Sequence, residues 1–485
     1  MLGRIVREAA KRFGDRPWMV DPDGRATSYA ELERASDRVA LALRSEGIVE
    51  GDLVALRIGA HPEYFIAHAA LAKLGAITAG INVRLTDAEQ QRVIAQSKPC
   101  RIAELDDVRR WRSLGATLAT GGLHSDLGDL DPDPDRVVAV IFTSGTTGTP
   151  KGAIFCNRQL EFITETDTGG QWGEAGVSVS SRSLASTSFA HLGPMTKFAG
   201  SLLRGGTIHL VERWSAATAI EMCERFAMTQ LAGIPTQVAL VLRHPACEHA
   251  DLSSIRMVIM GGGPASAALI DAARTRFGVP VITRYACTEA GIGLGTGPND
   301  DPMDAECSVG RPHGGVELSV RDDHGRMVPS GEIGEVCLRS PAVMSGYWND
   351  PEGTTAARWE DGFVRTGDLG RLDAAGRLVL CGRSRDMYIR GGYNVWPSEI
   401  EAVLGMHPGV AEIAVVARPD DVMGEIGVAV VVPTSTPVTL DDLRQFGADS
   451  LAHHKLPEAL LVVDRLPLTA MDKLDRIELR RIVAT

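Results

Sequence analysis

The alternation of helical and strand-like periodicity through the first hundred residues is the feature that most narrows what this chain can become. Ser28, Tyr29, Ala30 and Glu31 read as a capping box opening a helix that Gly47 ends. Residues 53–58, apolar but for Arg57, read as a short strand, residues 61–74 have helical spacing, 76–81 read as a second strand and 86–98 are helical. Strands this short and largely apolar are buried on both faces, with helices as crossovers, so the pattern predicts a parallel sheet covered by helices. A chain of 485 residues exceeds what one core organises, and further folding units are expected.

The texture changes along the chain. Residues 121–135 are rich in Gly, Asp and Pro and read as a surface loop before a strand over 137–142. Segments 180–211 and 229–258 again mix strands with helices, while 314–380 carries short strands and turns that suit a small β unit. The last hundred residues predict a helix over 397–404, strands over 411–416 and 427–432, a helix over 440–451 and a short strand near Leu460. The expected fold is therefore α/β: a large N-terminal domain of helix-covered sheets plus a small β unit, residues 1–384, and a small α+β C-terminal domain, residues 385–485.

Charge and cysteine usage limit the function classes. A net charge of −12 opposes broad nucleic-acid binding, which needs a basic face. The 8 cysteines form no C-x-x-C pair and no histidine cluster has metal-ligand spacing, so a reduced, cytoplasmic chain is expected. Leu2, Ile5, Val6, Ala9, Ala10 and Phe13 fall at helical spacing, an amphipathic surface helix rather than a secretory leader. No apolar run approaches the ~18 residues of a membrane span.

The densest chemical signal lies at residues 142–152. A strand ends in Thr143, Ser144, Gly145, Thr146, Thr147 and Gly148, with Lys151 three residues on. Glycines let backbone N–H groups approach phosphate oxygens, hydroxyls add donors and the lysine adds positive charge. Pro150 before the lysine and Gly152 after it exclude a Walker loop. This string resembles the phosphate loop of the adenylate-forming enzymes, the group that includes acyl-CoA synthetases, peptide-synthetase adenylation domains and firefly luciferase. Further matches follow in family order along nearly the whole chain.

The resemblance implies the remaining roles. Gly262, Gly263 and Pro264 would line the adenine pocket. Tyr285 would pack on adenine, Thr288 would touch the α-phosphate, and Glu289, with Thr143, would hold Mg²⁺; a hard cation prefers carboxylate and phosphate oxygens together. Ala286 replaces the commoner glycine and should narrow the acyl pocket. Asp368 would clamp the ribose hydroxyls, Arg383 would contact ribose, and Arg385 would be the hinge of a mobile C-terminal domain. Gly391 and Gly392 would let backbone pass close to a pantetheine arm. Lys473 would be the catalytic lysine of adenylation, with Asp472 in place of the usual glycine beside it. His191 would gate the passage between acyl pocket and thiol tunnel.

The implied reaction joins a carboxylic acid to AMP at the expense of ATP, then passes the acyl group to coenzyme A. Candidate pocket positions are His191, Gly193, Met195, Gly233, Ile234, Thr236, Gly261, Ala286 and Gly293. They are mostly small and apolar, which favours a hydrophobic acyl or aryl acid. Three alternatives stay open at this point: a phosphopantetheine carrier protein or an amine as acceptor, a different oxyacid, and a non-catalytic nucleotide- or acyl-binding relative. A homodimer is a further expectation.

Overall fold

The computed structural model describes the chain apart from residues 121–129, 144–149, 174–180, 186, 264, 384–385, 435, 470–472 and 485. The opening alternation forms as expected, with strands Leu53–Leu56 and Ile77–Gly80 and helices Pro62–Leu74 and Asp87–Ser97, and a further strand, Arg101–Ala103, that was not anticipated. These three strands and Val137–Thr143 run parallel, and Lys151–Cys156 closes the sheet antiparallel. Every residue of Leu53–Leu56 and Ile77–Gly80 is buried, which is why neither alternates in polarity.

Local capping follows the sequence with one shift. The Ser28 hydroxyl accepts the Glu31 amide at 3.1 Å, but the Glu31 carboxylate turns to Arg112, so only half a capping box forms there. A complete box caps Asp87–Ser97, where Thr86 and Glu89 exchange bonds. Helix Tyr29–Ser45 stops just before Gly47, whose φ of 91° suits glycine. The N-terminal helix Leu2–Phe13 buries Leu2, Val6, Ala9 and Phe13 as one stripe. Helix Leu105–Thr120 was not anticipated; Trp111 and Gly115 press it on Tyr29–Ser45, and a Cβ at Gly115 would collide with the Arg38 carbonyl.

A second sheet carries strands Leu231–Gly233, Val258–Gly261 and Val281–Tyr285 in parallel, then Leu294–Gly295 and Arg311–Pro312 antiparallel. The expected small β unit is a four-stranded antiparallel sheet of Glu317–Arg321, Gly334–Arg339, Val364–Leu372 and Leu378–Arg383.

The C-terminal residues build a sheet of their own. Helix Pro397–Leu404 and strand Ala459–Val462 match expectation, while strands Val410–Asp420 and Gly424–Pro433 are longer than predicted. The helix expected over 440–451 ends at Gly447, and the hairpin Tyr388–Arg390/Tyr393–Val395 and helix Arg476–Val483 were not foreseen. Two apolar clusters cover the two faces of this sheet, one around Tyr388, Ile400 and Val415, the other around Val416, Leu466 and Leu479. Neither includes a residue before 388, so this unit has its own core. Arg243 bridges the lobes, pairing with Glu412 at 3.5 Å and donating to the Ala411 carbonyl. Among the described residues no helix is long and apolar enough to cross a membrane.

Candidate active site

Strand pairing sets the base of the phosphate loop. Thr143 and Lys151 face each other across the antiparallel pair Val137–Thr143/Lys151–Cys156, and the Thr143 hydroxyl lies 3.5 Å from the Lys151 carbonyl. Ser144, Gly145, Thr146, Thr147 and Gly148 lie outside the described residues. The segment around Tyr347 docks on this hairpin, with the Trp348 amide donating to the Gly152 carbonyl at 2.7 Å. There the Lys151 ammonium lies 4.9 Å above the Tyr347 ring and 3.6 Å from Asp350. The Tyr347 hydroxyl donates to Glu289 at 2.7 Å. Burial, then the Glu289 charge, pushes the Tyr347 hydroxyl pKa up, so it remains a donor. Sequence reasoning missed Tyr347: nothing in a Gly-Tyr-Trp-Asn turn announces a carboxylate 58 positions away.

The nucleoside side is assembled from three strands. Tyr285 ends Val281–Tyr285 and donates its hydroxyl to Asp368 at 2.7 Å. Asp368 lies opposite Arg383 in the pair Val364–Leu372/Leu378–Arg383, and their side chains meet at 2.8 Å. Asp368 is 8% exposed, so its carboxylate is fixed by both partners at the floor of the cleft. Gly262 has φ 78° and Gly263 packs near Pro235; Pro264 lies outside the described residues. Thr288 is half-buried in the turn leading to Glu289.

The C-terminal lobe brings its lysine to this cleft. The Thr469 amide donates to the Lys473 carbonyl at 2.7 Å, and Leu468 pairs with Leu474 beside it. The Lys473 ammonium lies above Gly262, 3.9 Å from where a Cβ on that glycine would be. Lys473 is exposed, as befits an open cleft, yet the crowding around it and then Arg383 lower its pKa, with Asp368 opposing. His191, the N-cap of helix Leu192–Arg204, faces the same corner; burial, then Lys473 and Arg84, bring its pKa down to about 4. Its ring lies 3.4 Å from the Asn82 amide. Asp472 and Arg385 lie outside the described residues.

Gly391 and Gly392 occupy the turn of the hairpin Tyr388–Arg390/Tyr393–Val395, with φ of 54° and 88°. Only Met423 approaches Gly391, and nothing lies within 4 Å of a Cβ on Gly392. The structure thus gathers Thr143, Lys151, Gly262, Tyr285, Glu289, Asp368, Arg383, His191 and Lys473 around one cleft. The Gly391–Gly392 turn lies on the C-terminal lobe.

The site also suits a magnesium ion. Glu289 spends one oxygen on Tyr347 and keeps the other, and the hydroxyl of Thr143 is a second oxygen donor. Mg²⁺ is bound through one or two protein oxygens plus substrate phosphates and water, rather than by a full protein cage. Among the described residues no group of three or more His, Cys, Asp or Glu side chains that could hold a metal occurs.

The lysine of the small lobe thus reaches the cleft of the large one. The AMP-binding enzyme family matches residues 6–348 and the AMP-binding enzyme C-terminal domain matches residues 399–473, so the chain belongs to the AMP-binding, adenylate-forming enzymes. Within that class it is similar to the indoleacetate–CoA ligase of Aromatoleum aromaticum, 33% identical over 95% of this chain and 94% of that one. Among solved structures it resembles the o-succinylbenzoate CoA synthetase MenE of Bacillus subtilis with its acyl-adenylate, at TM-score 0.82 and 27% identity, covering 98% of this chain and 97% of that one. It also resembles the amide bond synthetase McbA of Marinactinospora thermotolerans, at TM-score 0.84 and 28% identity over 100% of both chains. The chain is an AMP-forming acid–CoA ligase acting with ATP, Mg²⁺ and coenzyme A.

Proposed function

We propose that this ligase activates a hydrophobic acyl or aryl acid, and that Lys473 and the Gly391–Gly392 turn serve its two half-reactions in succession. The observation that carries this reading is the Lys473 ammonium above Gly262, beside the Tyr285–Asp368–Arg383 cluster. A carboxylate is a poor acyl donor, because its leaving group would be oxide. Its attack on the α-phosphorus of ATP forms an acyl–phosphate bond and releases pyrophosphate, but brings two anions together. As an ammonium, Lys473 neutralises both at the point where they meet, a contribution on the order of 3 kcal/mol. Asp368 and Arg383 hold the ribose, Tyr285 covers the adenine, and Lys151 with the 143–148 loop holds the β- and γ-phosphates. Glu289 and Thr143 would hold Mg²⁺, which supplies charge neutralisation across the phosphates. Tyr347 fixes the Glu289 carboxylate.

In the second half-reaction the thiol sulfur bonds to the acyl carbon, AMP leaves with the bonding pair and the thiol proton passes to solvent. A thiol of pKa ~8.5 is partly ionised near neutrality, so no dedicated base is needed. The C-terminal domain, residues 385–485, turns at Arg385 to replace Lys473 with the Gly391–Gly392 turn. His191, held neutral, lies where acyl pocket and thiol passage meet.

The small, open positions Gly193 and Ala286 favour an aryl or acyl group, and the likeness to an indoleacetate ligase supports an aryl acid. The likeness to an amide bond synthetase gives an amine acceptor a specific footing as a second reading. A cytoplasmic location and a homodimer belong to the same proposal, with a phosphopantetheine carrier protein as the alternative thiol acceptor. Incubation with ATP, a panel of aryl and alkyl acids, and either coenzyme A or simple amines tests it by mass detection of product. The thioester is expected to dominate; an amide product with no thioester would overturn the choice of acceptor.

A further inference from the structure

The face of the second sheet that carries Ile259 and Ile282 ends in charge at Arg284. Successive strand residues point to opposite faces. The Tyr285 side chain turns to Asp368, so Arg284 takes the opposite face of the strand, and the exposed Ala286 follows just past the strand's end. Across the pair, Arg284 faces Gly295 and lies over it: a Cβ on Gly295 would fall 2.5 Å from the Arg284 Nη1. On helix Leu192–Arg204, Gly193 has none of the described residues within 4 Å of a Cβ, and Lys197 is one turn further along the same face. The buried residues of that helix, among them Met195, Phe198 and Leu202, point away from this groove.

The far end holds more cations than anions. Lys197 lies 3.4 Å and Arg204 3.9 Å from Asp167, and Arg204 also donates to the Asp167 carbonyl at 3.0 Å. The Thr283 and Thr296 carbonyls hold Nη1 of Arg284, and none of the described residues takes its Nε or Nη2. Asp300, the other acid facing Arg284, is exposed and caps the Gly297 amide at 2.7 Å. His313 closes the group: its amide bonds the Gly293 carbonyl at 3.2 Å, and its imidazole faces Arg284, Lys197 and Asp167. One half-buried carboxylate thus touches two cations and faces a third, while the half-buried Arg284 guanidinium keeps donors to spare. A planar fork of this kind is satisfied by a carboxylate or carbonyl oxygen.

We infer that the acyl channel running from Ala286 and Gly193 ends at Arg284 and Lys197, and that the preferred acid carries a hydrogen-bond acceptor, a carboxylate or a carbonyl, at the end remote from its reacting carboxyl. The inference rests on the ligase reading and names its substrate class. An unsubstituted apolar acid leaves the Arg284 donors without a partner and is handicapped by that alone.

Matched acids test it: an arylalkanoic acid, the same acid with a distal ketone, and the same acid with a distal carboxylate, each followed by acid-dependent pyrophosphate exchange. The wild-type enzyme is expected to favour an acceptor-bearing acid over its plain partner by about tenfold or more in kcat/KM. Arg284→Met should bring that ratio toward unity for both acceptors, and Lys197→Met should reduce it more for the carboxylate than for the ketone. A wild-type preference for the plain acid, or a ratio unchanged in a folded, exchange-competent Arg284→Met enzyme, overturns the inference and leaves the ligase reading intact. Exchange with none of the acids overturns the ligase reading, and this inference with it.

Discussion

His191 shares a desolvated corner with the Lys473 ammonium, and both give up protons more readily than free side chains. For Lys473 the lowered pKa means that adenylation loses its ammonium as pH rises, earlier than a lysine at 10.5 would. The rate of pyrophosphate exchange should therefore decline on the alkaline side before an unperturbed lysine titrates. His191, with its pKa brought down to about 4 from 6.5, stays neutral near pH 7 and should contribute no acid limb near 6.5. A limb there that His191→Gln removes would contradict this assignment. Tyr347 gives a second prediction. Tyr347→Phe frees Glu289, so the Mg²⁺ concentration for half-maximal exchange should rise several-fold, with the melting temperature little changed; an unaltered Mg²⁺ dependence would count against the positioning role. At this scale the sequence disclosed residues that lie in contiguous strings, such as Thr143 to Lys151 and Tyr285 to Glu289. It did not disclose Tyr347, Arg284 or Asn82, whose partners are brought to them only by the fold.

At the scale of elements, the strands and helices that could be read were those whose burial is uniform or whose caps are explicit. Leu53–Leu56 and Ile77–Gly80 are buried at every position, and Asp87–Ser97 has a complete capping box. Helix Leu105–Thr120 was missed although Val108, Trp111 and Gly115 fall on one helical stripe, a narrow one in which the glycine adds no apolar bulk. The Tyr388–Val395 hairpin was missed because its strands are three residues each. Its turn carries a prediction: Gly391→Leu or Gly392→Leu should leave exchange near wild type while blocking thioester release, and undiminished thioester output would remove the tunnel assignment. Two buried histidines make the elements pH-sensitive. His68, on helix Pro62–Leu74, bonds Thr78 at 2.8 Å, and His209 ends strand Thr207–His209; burial takes both down to about 4 from 6.5. Below 6.5 the unfolded chain binds these protons first, so stability present above that pH is lost as pH falls toward 4. The loss is up to about 3 kcal/mol per histidine. Chemical denaturation at intermediate pH should show it, and His68→Gln should flatten the slope.

For the whole molecule, the arrangement of two lobes is the functional statement. The C-terminal lobe has its own core, meets the large lobe partly through Arg243 and Glu412, and presents Lys473 to the nucleotide cleft. That orientation suits the first half-reaction, and the glycine turn needs a different one. The sequence made the two units legible through the change of texture after residue 380, but not their relative placement, which depends on contacts between residues far apart in the chain. The direct test separates the half-reactions in Lys473→Ala. Acid-dependent pyrophosphate exchange should fall by about two to three orders of magnitude, while transfer from a supplied acyl-adenylate to coenzyme A stays near wild type. Exchange at the wild-type rate in that variant would contradict the account.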